Sequence, residues 1–311
     1  MENRSFDISH LIPTPEFLYG FSTCTSIGSH SSIQLVALDD LQLGVHKVSS
    51  STTHNTVQPP APEFESPDQK TPTLAWEALY PAGSVNPSGP IPGGFGFYLS
   101  GPSVFAQRLE SATEAIFSYR MMLQDGWEWM VVWATSRTDV QAVDRKNAAN
   151  VSISGLCGGK FISSTYINIL TIVLNYRPNA IGELYAYLPL TTSNATQLSS
   201  VPPLSVANAD YGISVGRGAF KLDKAISRWM SIAFRIKLND VGELEVWTDG
   251  RSVMTSVGLS FRESEAGKIK GMHLQTFFGV GLIVHRGHGT DWASPKDQRA
   301  WFSDVTGVIL R

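Results

Sequence analysis

The sequence predicts an all-β fold, a two-sheet sandwich of the jelly-roll kind with a concave face suited to an extended ligand. Three observations carry that reading. Many short runs alternate apolar and polar residues with a period of two, the side-chain period of a strand. Clusters of Gly, Pro, Asn and Asp separate those runs at turn-like intervals. Stretches with helical periodicity are few. Sheets of this architecture curve, which leaves a hollow face.

The chain has 311 residues, enough for one large sandwich domain or two modest ones. Residues 1–70 are rich in Ser, Thr and Pro and read as a loosely packed lead-in with one or two edge strands, such as Ile33 to Leu38. Residues 71–311 read as the main domain. Trp76, Ala78 and Tyr80 alternate with Glu77 and Leu79, and Pro81-Ala82-Gly83-Ser84 then turns the chain. Phe95, Phe97 and Leu99 share a face, and Gly94 and Gly96 on the other would admit a close ligand. Pro102 to Glu114 suits a short helix, and Ser118 to Leu123 returns to strand before the Asp125-Gly126 turn. Ile232, Phe234, Ile236 and Leu238 alternate with Ala233, Arg235 and Lys237. Glu243 to Trp247 follows, and Asp249-Gly250 signals a hairpin turn with positive φ at both positions. Met272, Leu274 and Thr276 alternate with His273, Gln275 and Phe277, and Phe302 to Val305 closes the series.

Composition excludes several functions. Net charge is −3 with 16% charged residues and no basic block, so general affinity for nucleic acid is not expected. No apolar run reaches the roughly 20 residues of a membrane helix. The first residues, Met1 to Asp7, carry no apolar signal region. Two cysteines, Cys24 and Cys157, make no disulfide framework. His285 and His288 lack helix spacing and local partners, so no metal and no cofactor is expected.

The stretch Gly182 to Pro189 organises the candidate site. Strand alternation puts Leu184, Ala186 and Leu188 on one face, and Glu183, Tyr185 and Tyr187 on the other. Two phenols on an open face serve as a proton-transfer pair or a sugar-stacking surface, although strands also favour tyrosine for its own sake. Arg217, between Gly216 and Gly218, has the fork geometry that binds a carboxylate bidentately. His273 and Gln275 share a face and suit sugar hydroxyls or general-acid work. Tyr98 and Trp247 offer rings for stacking on a sugar.

Several ordered motifs resemble one family, the alginate-lyase-like proteins of polysaccharide lyase family 14. They are Tyr80 to Ser84, Pro92 to Tyr98, Gly182 to Pro189, Ser214-Val215-Gly216-Arg217-Gly218, Gln275 to Gly279 and Asp291 to Asp297. The resemblance runs from about residue 74 to 311. It implies a jelly roll that cleaves an acidic, uronate-containing polysaccharide of the alginate or glucuronan type by β-elimination. A cation or hydrogen-bond donor neutralises the uronate carboxylate, a base removes the neighbouring carbon-bound proton, and an acid protonates the departing oxygen. Tyr185 and Tyr187 match the family's Tyr-x-Tyr proton-transfer strand. Arg217, His273 and Gln275 then fall to substrate binding. A free phenol titrates near 10, so a phenolate base needs neighbouring cations. In the family these are a lysine in a Gly-Gly-Lys-Leu-Pro-Gly segment and an arginine in a Ser-x-Arg strand.

The sequence departs from that pattern at both places. Val131 to Arg137 stands where the lysine segment belongs, and Thr171 and Val173 stand near the serine and arginine positions. Lys160, in Gly158-Gly159-Lys160, is a stand-in for the missing cation and is placed with the substrate-binding residues, although its surroundings resemble a later family segment. Residues 131–176 and 280–286 are atypical. They read as retained introns or a misread frame, or as a divergent paralogue without its active site. The alternatives to a lyase are therefore a non-catalytic carbohydrate-binding jelly roll or a degenerate product. The resemblance further implies an extracellular monomer whose partner is its polymer, with neither membrane nor nucleic acid involved.

Overall fold

A computed structural model describes residues 8–28, 30–65, 69–85, 89–129, 149–157, 171–177, 180–188, 191–208, 212–238, 241–261, 268–278 and 293–311. The strands, in chain order, begin with β1 (Tyr19–Ser22), β2 (Ile33–Leu35), β3 (Val45–His46), β4 (Thr56–Val57), β5 (Ala75–Tyr80) and β6 (Phe95–Leu99). Helix α1 (Ser103–Leu109) leads into β7 (Glu114–Leu123), β8 (Ala149–Cys157), β9 (Thr171–Arg177) and β10 (Ile181–Tyr187). Helix α2 (Thr192–Ser199) precedes β11 (Val206–Asn208), β12 (Gly212–Lys221), β13 (Met230–Lys237), β14 (Gly242–Thr248), β15 (Arg251–Leu259), β16 (Ile269–Phe278) and β17 (Gln298–Ile309).

These strands form two sheets, a jelly-roll sandwich as the alternation predicts. One runs β15-β14-β13-β7-β17-β1-β2, with β5 pairing β17 and β4. The other runs β11-β12-β10-β9-β8-β16-β6-β3. Aromatic side chains meet between them. Trp76 of the first sheet lies 4.9 Å from Phe97 of the second, and Phe302 lies 5.5 Å from Phe95, both pairs edge to face. The Tyr80 hydroxyl bonds the Thr276 hydroxyl in the same interior. Burial raises the Tyr80 phenol well above its ordinary range.

The lead-in is more integrated than its composition suggests. It supplies four short strands rather than one or two, and Leu11, Phe21 and Leu43 are fully buried. The physical reason is that the outer face of the first sheet carries apolar residues that need cover. Leu11 and Ile12 pack with Ile116, Ala233, Trp247 and Val308. Trp247 is thereby buried against the protein rather than open to a sugar.

Strands β8 and β9, inside the atypical stretch 131–176, are internal members of the second sheet. Ile153 pairs with Leu274, and Val151 pairs with Thr276 and Leu174. Val151 and Ile153 alternate with Ser152 and Ser154, so this stretch has the strand period like the rest. The remainder of that stretch, and residues 280–286, lie outside the described residues. The Asp249-Gly250 turn takes φ of 48° and 74°, as the hairpin signal requires. At Gly94, φ is 73° and the Thr276 carbonyl stands where a Cβ would go, so only glycine starts β6 against β16.

Candidate functional site

The face of the second sheet turned away from the core is organised by cross-strand register. Gly96, Gln275, Ser152, Val173, Tyr185, Ser214 and Val206 are successive partners along one row, from β6 through β16, β8, β9, β10 and β12 to β11. Strand spacing puts positions 275 and 185 about 14 Å apart along it. One strand spacing is close to one repeat of an extended hexose polymer. The adjoining rows hold Tyr187 beside Thr171, Glu183 beside Asn175, and His46, Tyr98, His273 and Ser154 in sequence. Leu184, Ala186, Met272 and Leu274 fill the opposite, core face.

Position 185 therefore sits in the middle of a wide surface, with Val173 on one side and Ser214 on the other. For Tyr185 and Tyr187 the placement is one of backbone register. The residue nearest the family's arginine position is thus an apolar neighbour of the first tyrosine. Lys160 lies outside the described residues, as do Asp291 and Trp292.

At the β12 end of the row the charge is paired. Glu183 is 1% exposed, and its Oε2 accepts from Ser214 Oγ at 2.6 Å and from Arg217 Nε at 3.0 Å. Arg217 Nη2 also donates to Ser214 Oγ at 3.3 Å. The bulge at Gly216, with φ of 59°, lets the chain swing Arg217 back over Glu183. Sequence reasoning gave Arg217 to a substrate carboxylate and Glu183 to the open tyrosine face. In the structure each has the other as a partner. The signal was available: a glutamate between a core residue and a tyrosine strand needs a counter-charge when buried, and Ser214-x-x-Arg217 lies on the neighbouring strand.

The other end is aromatic. The rings of Tyr98 and His273 stack at 4.2 Å with an interplanar angle of 10°. Lys47 Nζ stands 5.2 Å from the Tyr98 centroid, and His46 lies 5.8 Å from the same ring. His273 and Gln275 share this face, as their alternation predicts, and both are half-buried. Desolvation lowers the His273 imidazole to about 4, so it is neutral near pH 7 and does not arrive there as a loaded general acid. Its ring suits hydroxyl recognition. Burial also raises the Tyr98 phenol. Gly96 does not open this face to a ligand. A Cβ there would meet Ser49 Oγ at 3.0 Å and Gln275 Cγ at 3.1 Å, so the glycine makes room for the protein's own side chains. Lys47 escaped the sequence reading because it lies in the Ser-rich lead-in, far along the chain from the strands it joins.

A cavity of about 310 Å³ lies beneath α2, lined by Ala186, Leu188 and Ile213. These residues belong to the core side, away from the row.

A model of the polysaccharide lyase 14 family matches residues 145–305. The chain belongs to that family. The match runs through β8, β9, β10, β11, β12 and β16, which is every strand of the row except β6. The fold of this family member is similar to a marine PL-14 alginate lyase from Aplysia kurodai, with a TM-score of 0.59 and 19% identity, covering 94% of this chain and 99% of that one. It is also similar to an alginate lyase from Chlorella virus, with a TM-score of 0.54 and 16% identity, covering 86% and 93% of the two chains. No curated protein sequence matches this polysaccharide lyase 14 member. Among its described residues no helix is long and apolar enough to cross a membrane.

Proposed function

We propose that the chain cleaves a uronate-containing acidic polysaccharide, of the alginate or glucuronan type, by β-elimination on the outward face that the β6-to-β11 row crosses. The observation that carries this is the shared register. It aligns Gln275, the family's first tyrosine position and Ser214 along one row across the sheet, with positions 275 and 185 about 14 Å apart, a span of roughly three sugars.

In this reading Tyr185 and Tyr187 handle the two proton transfers. A base takes the proton on the carbon next to the uronate carboxylate, and a carbon–carbon double bond forms. The bond to the leaving glycosidic oxygen breaks, and that oxygen receives a proton. The Glu183–Arg217 pair borders the tyrosine position. Glu183 fixes the orientation of the guanidinium but also offsets its charge, so the pair adds a positioned donor rather than a net cation. At the other end Tyr98, neutral His273 and Gln275 bind sugar hydroxyls, and Lys47 faces a carboxylate. The polymer lies outside the cell, so the reading implies an extracellular protein, acting as a monomer.

The test is incubation of the purified chain with polymannuronate, polyguluronate and polyglucuronate, following the ultraviolet absorbance of the unsaturated uronate. Product that accumulates with the wild type and vanishes in Tyr185→Phe/Tyr187→Phe supports the reading. Folded protein that yields no product from any of the three overturns it.

A further inference from the structure

A second cleft, of about 550 Å³, lies at the open edge of the sandwich, between the end of β12, the segment after it and the β14–β15 turn. Four of the eleven residues that line it are basic: Lys221, Lys224, Arg228 and Arg251. The whole chain has 24 basic residues in 311 and a net charge of −3, so this is a strong local concentration. The lining holds one carboxylate, and that one is in use. Asp249 accepts from Arg228 Nη2 at 2.9 Å and from the Ser231 amide at 3.0 Å. Among the described residues Lys221, Lys224 and Arg251 form no salt bridge. Glu245 reaches the rim only through the Ser252 hydroxyl, which donates to it at 2.6 Å.

Three unpaired cations around one hollow repel one another, and an anion in the hollow relieves that repulsion. The volume falls within the range of small-ligand sites. Gln69 and Thr248 also line it, side chains that match sugar hydroxyls rather than a bare inorganic ion. Strand β12 connects the two places. Ser214 stands on the row and Lys221 on the cleft; they pair with positions 185 and 181 of β10, roughly 13 Å apart along that strand because β12 bulges between them.

We propose that this cleft is a second, non-catalytic binding site for carboxylate-bearing oligosaccharides. The choice of ligand rests on the proposed function, whereas the site itself does not. A polymer held in both places gains from effective concentration, so the cleft raises occupancy for long chains and not for short ones.

The test is calorimetric titration of the full chain with a uronate hexasaccharide at low salt, in a Tyr185→Phe background that limits cleavage of the probe. It is repeated with Lys224→Glu/Arg251→Glu added, and circular dichroism checks that both proteins are folded. Both residues are exposed, so the fold should tolerate the change. Two binding events are expected, of which the charge reversal removes one or weakens it by ~10-fold or more, with the other unchanged. A Gln275→Ala variant should weaken the other event. Unchanged stoichiometry and affinity in the reversed variant overturn the proposal and leave the lyase reading intact. Loss of hexasaccharide binding on charge reversal supports the cleft even if no lyase product is ever found. Inorganic phosphate titrated alone is the control: a cleft that phosphate fills and the hexasaccharide does not is a small-ion site, and the proposal fails.

Discussion

The outer faces of the two sheets start from the same strand alternation and end differently. On the first sheet Ser118, Arg120 and Ser231 point away from the core yet are buried, beneath residues such as Leu11, Ile12 and Trp229. Arg120, 3% exposed, donates to Asp304 Oδ2 at 3.1 Å and to the Lys70 carbonyl at 2.8 Å. Burial pushes the Cys24 thiol beside Asp304 up to about 11, which leaves it unreactive. On the second sheet Tyr98, His273 and Gln275 also point away from the core, and nothing among the described residues buries them fully. Alternation therefore says which residues leave the core. What lies over them decides whether they become structure or site.

The tyrosines give the largest expected break between the faces. Tyr185→Phe and Tyr187→Phe should each lower the rate of unsaturated-product formation by ~10²–10⁴-fold, the usual worth of a proton-transfer group. Polymer binding and melting temperature should stay close to wild type. A rate within a few-fold of wild type would return the pair to the ordinary strand preference for tyrosine.

Cover is the next test. Leu11→Ala on the closed face should cost about 2–5 kcal/mol in denaturant unfolding, since the side chain is fully buried. Gln275→Ala on the open face should cost under ~0.5 kcal/mol while weakening polymer binding. Equal costs would mean that the two faces do not differ as described.

Much of this was legible in the sequence because the decisive interactions are local. Phe95, Phe97 and Leu99 announce a core face by spacing alone, and Asp249-Gly250 announces its turn by conformational preference. The misses come from contacts between residues distant in the chain. The lead-in reads as loose because its Ser and Pro content says nothing of the apolar face that Leu11 caps. Glu183 reads as part of an open face because its partner lies 34 residues away, behind a glycine bulge. Stretch 131–176 reads as foreign because it lacks the family's Lys and Ser-x-Arg motifs. Yet Val151 and Ile153 keep the strand period, and register, not motif, places β8 and β9 inside the sheet.

Arg217→Ala separates pairing from binding. It removes the guanidinium that the buried Glu183 carboxylate accepts from, so it should destabilise the fold by about 3 kcal/mol. Glu183→Gln keeps a hydrogen-bonding side chain in place and should cost less. If Arg217→Ala melts like the wild type but loses substrate affinity, the arginine serves the ligand rather than Glu183. A milder gain is expected from Val173→Arg, which puts a cation one strand away from position 185. An opposite charge at that distance lowers a phenol by about 1–3 pH units, so the rising limb of the pH–rate profile, which the base sets, should move down by at least ~1 unit. An unmoved limb would mean that the tyrosine does not act as a phenolate.

The smallest effect tests how enclosed the open face is. His273 is held near 4 in the folded chain by desolvation, against 6.5 when unfolded. Between those values the unfolded state binds more protons, so stability rises with pH across the window and is flat in this respect above it. With the ring partly exposed, the full span should be worth ~1–2 kcal/mol. His273→Gln keeps a polar group beside Tyr98 and removes the titration. Carboxylates titrate in the same window, so the readout is the difference between the two proteins. The variant should be less stable at pH 7 and match or exceed the wild type at pH 4. Parallel stability curves from pH 4 to 7 would mean that the imidazole is already well hydrated in the fold, and that this end of the row is more open than its stacked geometry indicates.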